Sequence, residues 1–241
     1  MTVEAVSGSV VTFSDFNHPF HFFIESEKDL IQSHHKKGEL YEREELLIIQ
    51  KNAADTKIFL VIGANVGNHA IFMAKVLGAR RVYAFEANPF TANILEINVA
   101  LNRLSDLIDT SYSKIGLGDQ IEALNVVYPQ VHNLGAARLS VHAETVPTNY
   151  PTVQVPVAPI DSFNLSPMQR VGFVKLDVEG MELKVLRGGA RFFATHRPRM
   201  FIEVDNSNVA EFHEWIEAND YVIIDRFKRY TVNENFLIVP R

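Results

Sequence analysis

The stretch FLVIGANVGNHA, residues 59–70, is the part of the sequence that decides the fold. Apolar residues lead into a turn that contains Gly63 and Gly67, and a segment with helical periodicity follows. This order is typical of the first strand, the ligand-binding turn and the first helix of an open parallel sheet. Such turns hold dinucleotides, S-adenosylmethionine or phosphates, or have only a structural role. The turn alone does not distinguish these alternatives, so the evidence has to come from the surrounding sequence.

Composition limits the classes of protein. The 241 residues are 47% hydrophobic and 22% charged, which predicts one sizeable α/β domain or two small ones. The net charge of −6 argues against nonspecific binding of nucleic acid, and the absence of cysteine excludes disulfides, thiol nucleophiles and thiolate metal sites. The start, MTVEAVSGSVVTFSDF, lacks a secretory pattern, and no stretch approaches the roughly 18 apolar residues of a membrane span. We therefore expect a cytoplasmic protein without a membrane part.

Apolar, β-rich runs alternate with helix-period segments from about residue 58 onward. This alternation predicts a parallel sheet with helices on both faces. The predicted strands are 58–62, 81–85, 108–115, 171–176 and 200–204, and the predicted helices between them are 67–77, 89–102 and 181–193.

The last part of the chain predicts a helix and a closing pair of strands. Residues 208–218 carry apolar side chains at helical spacing after Ser207, a favourable N-cap. Residues 221–225 and 236–239 are two further predicted strands, joined by a short polar connection. A mainly parallel, seven-stranded sheet with a C-terminal antiparallel hairpin is the α/β architecture of Rossmann-like class I methyltransferases, whereas dehydrogenases of this type normally stay parallel.

Two segments do not follow this pattern. Residues 1–57 contain an aromatic-rich part and a predicted helix near 42–51, and we expect them to form a lead-in that packs on the core domain of residues 58–241. Residues 117–160 contain five prolines and predict an irregular or hairpin insertion. This insertion is a possible substrate cap or a simple surface excursion.

The glycine turn favours one cofactor over another. A dinucleotide fingerprint that starts at Gly63 requires glycine at positions 65 and 68, and both are asparagine. The G-x-G-x-G turn of S-adenosylmethionine enzymes is matched by Gly63 and Gly67, with Asn65 as the non-glycine residue that best tolerates left-handed geometry. Asn68 and His69 open the following helix and complete the predicted cofactor-binding turn, with a packed polar role as the alternative for His69.

Acidic residues follow two of the predicted strands. Glu86 ends the run VYAFE, where a carboxylate can accept hydrogen bonds from a ribose diol, in NAD enzymes as well as in methyltransferases. In KLDVEGMELKVLRGG, residues 175–189, Asp177 lies at the carboxyl end of a strand, where open α/β sheets bind ligands. Asp177 or Glu179 could instead cap the helix that begins near Gly180.

The sequence resembles the FkbM-type methyltransferases over roughly residues 40–240. The resemblance is carried by FLVIGANVGNHAIFMAK, VYAFEANPFTANILEINVALN, NLGAARL, PIDSF, VGFVKLDVEGMELKVLRGGARFF and RPRMFIEVD, in that order. It implies a Rossmann-like enzyme that uses S-adenosylmethionine, usually to methylate hydroxyls of sugars or polyketides. The family's first motif usually carries an aspartate two positions before the first glycine, and this sequence has Val61 there. That difference predicts weaker cofactor binding, replacement of the missing carboxylate by a residue elsewhere in the chain, or lost activity. Because the other motifs are intact, they favour replacement of the carboxylate or tolerance of its absence.

The chemistry of methyl transfer suggests which residues act. The cofactor already carries the activated methyl group, so the protein mainly aligns the acceptor, and a base adds about 10²- to 10⁴-fold. We expect Asp177 to be that base, with Glu179 orienting it or binding a substrate hydroxyl. The alternative is a magnesium or manganese site made by Asp177, Glu179 and Glu203. His132 and His142, in the insertion, are expected mainly at the surface, as are His34 and His35.

Three functional hypotheses remain. The leading one is an O-methyltransferase of a sugar, glycan or other hydroxylated small molecule. The others are a noncatalytic cofactor-binding or interaction protein, suggested by Val61, and an NAD-dependent oxidoreductase, which leaves Asn65 and Asn68 unexplained. The chain lacks the N/D-P-P-Y motif by which amino methyltransferases hold a flipped base, so nucleic acid is not expected as a partner. A dimer is possible, but nothing selects an oligomeric state.

Overall fold

The computed structural model describes residues 7–53, 55–143, 150–165 and 170–241. The strands are β1 (Ser9–Asp15), β2 (His18–Ile24), β3 (Ile58–Ile62), β4 (Arg81–Phe85), β5 (Ile108–Asp109), β6 (Gly116–Leu117), β7 (Glu122–Val127), β8 (Arg138–Ser140), β9 (Val153–Ala158), β10 (Phe173–Leu176), β11 (Arg199–Asp205), β12 (Tyr221–Phe227) and β13 (Asn233–Pro240). The α-helices are α1 (Leu30–Lys36), α2 (Arg43–Ala53), α3 (Asn68–Lys75), α4 (Pro89–Leu101), α5 (Glu182–Gly188), α6 (Ala190–His196) and α7 (Val209–Ala218).

A seven-stranded sheet forms the centre of the molecule, in the order β12-β13-β11-β10-β3-β4-β5. Strands β11, β10, β3, β4 and β5 pair in parallel, whereas β13 runs antiparallel to both β11 and β12. The sheet is therefore mixed, and the predicted C-terminal hairpin is its antiparallel part. None of the helices in the described ranges is long and apolar enough to cross a membrane.

The two faces of this sheet carry separate apolar cores. Because side chains alternate along a strand, Phe59 and Val61 face one core while Leu60 and Ile62 face the other. Helices α2, α3 and α4 cover the first face, and α5, α6 and α7 cover the second. Burial on both faces explains why β3 is apolar along its whole length.

The described part of the N-terminal lead-in is held against the first face. Strands β1 and β2 form a hairpin, and Phe20 and Phe22 are fully buried in that core. The amide of Asn98, on α4, accepts a hydrogen bond from Phe23 N at 2.7 Å and donates one to Val66 O at 2.8 Å. One side chain therefore ties the lead-in to the glycine turn. Residues 1–6 of the predicted lead-in lie outside the described residues.

The segment 117–160 contributes to a small second sheet. Its strands have the order β6-β9-β7-β8, and β7 pairs antiparallel with both β8 and β9. This sheet packs through Leu124 and Val157 against Met181, at the start of α5. Residues 144–149 of the predicted insertion are outside the described residues.

Three sequence predictions of secondary structure were wrong in part. The predicted strand 108–115 ends at Asp109, whose carboxylate accepts hydrogen bonds from Ser111 and turns the chain. The predicted helix 181–193 is two helices, because the carboxylate of Asp161 accepts the backbone N–H groups of Arg191 and Phe192 and starts α6 anew. Ser207 is not the cap of α7, since it lies in a short 3₁₀ turn that Asp205 caps.

The expected surface position of His35 was also wrong. Its ring is fully buried and stacks on Phe22, with the ring centroids 3.8 Å apart. Burial lowers the pKa of His35 to about 4, so the ring is neutral at physiological pH. Adjacent residues of a helix point in different directions, so His34 and His35 do not share a face of α1. The side of α1 that carries His35 packs into the core.

Candidate active site

The glycine turn lies between β3 and α3 at the carboxyl edge of the parallel strands. Gly63 and Ala64 donate backbone hydrogen bonds to Phe85 O at 2.9 and 2.8 Å, which joins the turn to the end of β4. Gly63, Asn65 and Gly67 have φ angles of +81°, +49° and +97°. Asn65 thus takes the left-handed conformation that the sequence predicts for it, and the turn opens toward the sheet edge.

Gly63 is required by a close approach as well as by its backbone angle. A Cβ atom at this position would lie 1.7 Å from the carbonyl oxygen of Asp177. The backbone N–H of Asp177 donates to Ile62 O at 3.0 Å, so the two loops are in direct contact. The absence of a side chain at residue 63 therefore brings the glycine turn and the DVEG segment together.

Glu86 follows β4 and is buried beside the turn. Its Oε2 accepts the Asn65 N–H at 2.7 Å, and its Oε1 accepts Asn88 N and Thr91 Oγ1, both at 2.9 Å. A carboxylate offers about four acceptor positions, so these contacts leave one on Oε2. Burial raises the pKa of Glu86, and the backbone donors of Asn88 and Asn65 act against that rise. The group is positioned to accept one further hydrogen bond.

Asn68 and His69, the first residues of α3, face the lead-in. The Asn68 amide accepts from Tyr41 N at 3.1 Å, donates to Tyr41 O at 2.9 Å and bonds His35 Nε2 at 3.0 Å. Burial lowers the pKa of His69 well below its ordinary value, so its ring is neutral. His69 Nε2 lies 3.7 Å from Glu42 Oε2, too far for a hydrogen bond, and it has no partner among the described residues.

Asp177 directly follows β10, as predicted, and has a buried cationic partner. The Nζ atom of Lys175 lies 2.6 Å from Asp177 Oδ2. Lys175 is 1% exposed, and nearby carboxylates, Asp177 first, raise its pKa against the opposing effect of burial. The register places Lys175 beside Val61 on β3. Lys175 therefore holds a full positive charge behind the site.

Glu179 stands at the rim of the site on a left-handed backbone, with φ +52°. Arg138 Nη2, on β8, lies 3.6 Å from Glu179 Oε2. Burial and the Asp177 carboxylate raise the pKa of Glu179 to about 7. At the start of α5 the backbone N–H of Gly180 donates a hydrogen bond to Glu182 Oε1. Neither Asp177 nor Glu179 caps α5 in the described residues, so the predicted alternative of a helix cap is not seen.

The structure brings together the three carboxylates of the alternative metal site. Oxygens of Asp177, Glu179 and Glu203 lie within 4.8 Å of one another. Glu203 already accepts Asn233 Nδ2 at 2.5 Å and Asn235 Nδ2 at 3.3 Å, and burial and Asp177 raise its pKa to about 10. Glu203 is already bonded to two side-chain amides and Asp177 is already paired with Lys175, so this donor set is largely occupied within the protein and does not support a metal.

A cavity of about 430 Å³ connects these groups, within the usual range of small-molecule sites. Its walls include Glu86 and the glycine turn, the DVEG segment and the small second sheet. Residues that the sequence analysis did not single out also line it, among them Tyr41, Glu42, Arg138 and Tyr230.

Other tyrosines and histidines lie outside the cavity. Tyr112 stacks on Phe85, and Tyr128 is buried in a small apolar cluster with Tyr150 packed against it. His132 and His142 are exposed and are not among the residues that line the cavity.

Comparison with known proteins gives a consistent family. The model of the Methyltransferase FkbM domain matches residues 62–223. "Methyltransferase 1" of Beauveria bassiana (strain ARSEF 2860) is 28% identical over 149 residues, which are 56% of this chain and 59% of that protein. The matched part of the chain thus covers less than two thirds of this curated relative.

Solved structures share the fold. The crystal structure of methyltransferase FkbM from Methylobacillus flagellatus KT has a TM-score of 0.51 at 20% identity, over 76% of this chain and 44% of that one. M. jannaschii TYW2 in complex with AdoMet has a TM-score of 0.50 at 14% identity, over 100% of this chain and 90% of that one. M. capricolum TrmK in complex with S-adenosyl-homocysteine has a TM-score of 0.50 at 12% identity, over 81% of this chain and 67% of that one.

The family match covers more than half of the chain and includes the glycine turn, Glu86 and the DVEG segment whose geometry is given above. The chain belongs to the FkbM methyltransferase family.

Proposed function

We propose that this protein is an S-adenosylmethionine-dependent methyltransferase that methylates a hydroxyl of a sugar or another hydroxylated small molecule. The observation that carries the proposal is the Glu86 carboxylate, which is buried at the end of β4 beside a left-handed glycine turn and keeps one acceptor position on Oε2. A ribose hydroxyl supplies the donor that this position lacks.

The residues present fit an adenosine cofactor. Gly63, Asn65 and Gly67 keep the turn open, and Glu86 would hold the ribose. Asn88 Nδ2 is a buried donor without a partner in the described part of the chain, and Asn88 also lines the cavity, so it offers a contact for the purine or the ribose. S-adenosylmethionine supplies a methyl group activated by its positive sulfur.

The acidic residues of the DVEG segment divide two tasks. A hydroxyl nucleophile benefits from a group that takes its proton, and a base with a pKa near the working pH serves best. Glu179, with its pKa raised to about 7, meets this requirement, so we assign to it the role of the base, which the sequence had led us to expect for Asp177. Asp177 is held by Lys175 at 2.6 Å, which suits a carboxylate that orients the acceptor hydroxyl by accepting its hydrogen bond.

Polar groups around Glu179 support a hydroxylated acceptor. Arg138 from β8, Asn233 from β13 and Tyr230 line the same cavity and offer hydrogen-bond donors. The net charge of −6 disfavours a polyanionic acceptor, although TYW2 and TrmK have a similar fold. A cytoplasmic location, a small-molecule or glycan acceptor and the absence of nucleic-acid and membrane partners belong to the same proposal.

Binding calorimetry with S-adenosylmethionine, S-adenosylhomocysteine and NAD tests the cofactor. We expect micromolar binding of the first two and none of NAD, and a loss of about tenfold or more in Glu86→Gln, which keeps its shape but loses a charged acceptor. Glu96→Gln, an exposed change on α4 outside the cavity, is the matched control and is expected to bind as the unchanged protein does. Binding of NAD alone would replace the proposal with the oxidoreductase, and silence toward all three ligands would favour the noncatalytic protein.

A further inference from the structure

Glu42, in the lead-in directly before α2, is a buried carboxylate to which the proposed reaction assigns no role. It is 8% exposed, it lines the cavity, and its side chain accepts no hydrogen bond within the described ranges. Its backbone has φ +57°, an uncommon conformation for glutamate. An unpartnered buried carboxylate on a strained backbone is costly, and such costs are concentrated at functional sites.

Among the described residues, the cations that act on Glu42 already pair with other carboxylates. Lys175 pairs with Asp177 at 2.6 Å, and Arg229 contacts Glu45 at 3.1 Å and Glu44 at 2.9 Å. Burial and the neighbouring Glu45 carboxylate raise the pKa of Glu42 well above its ordinary value. A ligand that brings one positive charge to this cluster would therefore favour the ionised form of Glu42 and offset its negative charge.

The vicinity of Glu42 suits an ammonium group. His69 Nε2, buried and unpartnered among the described residues, lies 3.7 Å from Glu42 Oε2. In the tautomer that carries the proton on Nδ1, this nitrogen is a second acceptor beside the carboxylate. An ammonium has three donors, so it can satisfy both groups. Asn68 holds the position by binding both backbone groups of Tyr41, the residue before Glu42.

A divalent metal suits the same place less well. Ligand atoms of Glu42, Glu45 and His69 do lie within 4.8 Å of one another. Glu45, however, is already bonded to the Arg229 guanidinium, and the positive charge of Lys175 acts on both glutamates. A dication would add two charges where one carboxylate is unbalanced, whereas an ammonium adds one.

We propose that Glu42 binds the α-ammonium group of the methionine part of the cofactor, with His69 as a second acceptor. The proposal rests on S-adenosylmethionine being the cofactor. It also explains how the cofactor can be held although residue 61 is a valine instead of the family's usual aspartate. Val61 is 1% exposed and packed in a core, and it supplies no carboxylate to the turn. In this chain the carboxylate comes from the lead-in segment instead of from β3.

The test compares two ligands that differ only at this end. S-adenosylhomocysteine carries the amino-acid part, and 5′-methylthioadenosine has the adenosine and sulfur but no ammonium. By calorimetry, we expect Glu42→Gln to weaken S-adenosylhomocysteine by about 10- to 100-fold and to leave 5′-methylthioadenosine within about threefold. Glu39→Gln, an exposed change three residues earlier, is the control and should alter neither affinity.

A second variant guards against misfolding. Glu42→Asp keeps the charge and tolerates the left-handed backbone, but its shorter side chain should also weaken S-adenosylhomocysteine selectively. Unchanged affinity of both variants for S-adenosylhomocysteine, or an equal loss for both ligands, would overturn the proposal. So would stabilisation of the ligand-free protein by Mn²⁺ or Mg²⁺ alone that disappears in Glu42→Gln. If the unchanged protein binds neither nucleoside ligand, the cofactor assignment fails instead.

Discussion

Replacement of Lys175 by methionine tests the buried charge cluster on which the site is built. Methionine keeps the length of the side chain in β10, where its apolar part lies beside Val61 and Phe201. The change removes the partner of Asp177 and the positive charge that acts on Glu42, Glu45 and Glu203.

The expected loss of stability follows from the geometry. The ion pair is 2.6 Å long and the Lys175 side chain is 2% exposed, so it belongs to the buried class in which loss of one partner costs about 3–5 kcal/mol. For a chain of this length, that loss lowers the melting temperature by roughly 6–20 °C. Lys184→Met removes a partly exposed lysine 4.0 Å from Glu122 and should cost less than about 0.5 kcal/mol.

The loss should depend on pH in a definite direction. The raised pKa of Lys175 means that its stabilisation is fully present below the unfolded pKa and is lost only as the pH rises through the folded one. Lys175 itself therefore keeps its charge between pH 5 and 8, and the pH dependence of the loss of unfolding free energy comes from the neighbouring carboxylates. Their folded pKa values are raised, so they destabilise the protein as they ionise with rising pH. We expect the effect of Lys175→Met to be largest at pH 8 and smaller at pH 5.

Chemical denaturation of both variants at pH 5 and pH 8 gives the measurement. Lys175→Met combined with Asp177→Asn should recover part of the lost free energy of unfolding at pH 8, because no unpaired charge remains at residue 177. A cost below about 1 kcal/mol at pH 8, or a cost that grows toward pH 5, would refute the reasoning.

Two further changes address the turn and the lead-in. Gly63→Ala should lower the free energy of unfolding by about 2–4 kcal/mol in denaturation, because its Cβ meets the Asp177 carbonyl at 1.7 Å and φ is +81°. Gly180→Ala is the control for backbone strain alone, because Gly180 also has a positive φ, +103°, but no atom of the described residues lies within 4 Å of its Cβ position. Equal costs of the two changes would contradict the contact with Asp177. Asn68→Ala removes three hydrogen bonds to Tyr41 and His35 and should destabilise the protein by about 1–3 kcal/mol. In calorimetry it should weaken S-adenosylhomocysteine more than 5′-methylthioadenosine, and equal weakening of both ligands would argue against the role of Asn68 in holding Glu42 in place.

The sequence allowed prediction of the features that depend on local order along the chain. Gly63, Glu86 and Asp177 each follow a strand, and parallel strands bring such residues to one edge. The apolar runs and their spacing were therefore sufficient to place these three positions together. The same reasoning identified Asn65 as the residue that takes the left-handed position of the turn.

Features that depend on distant contacts were not predictable in the same way. Asp161 caps α6 from some thirty residues away and so divides the predicted helix 181–193 in two. Apart from the pair Gly188–Gly189, the local sequence contains no helix-breaking residue that predicts this division. Glu42 looks like one of many charged residues in an amphipathic segment, and only the packing of the lead-in buries it. Lys175 did carry a signal, because a lone lysine within an apolar strand that is buried on both faces requires a partner.

The most direct test of the account is a crystal structure of the protein with S-adenosylhomocysteine. We expect the ligand in the cavity at the carboxyl edge of β3, β4 and β10, with a ribose hydroxyl donating to Glu86 Oε2 and the ammonium group against Glu42. A ligand bound away from the glycine turn, or a cavity in which Glu86 touches no part of the nucleoside, would contradict the account.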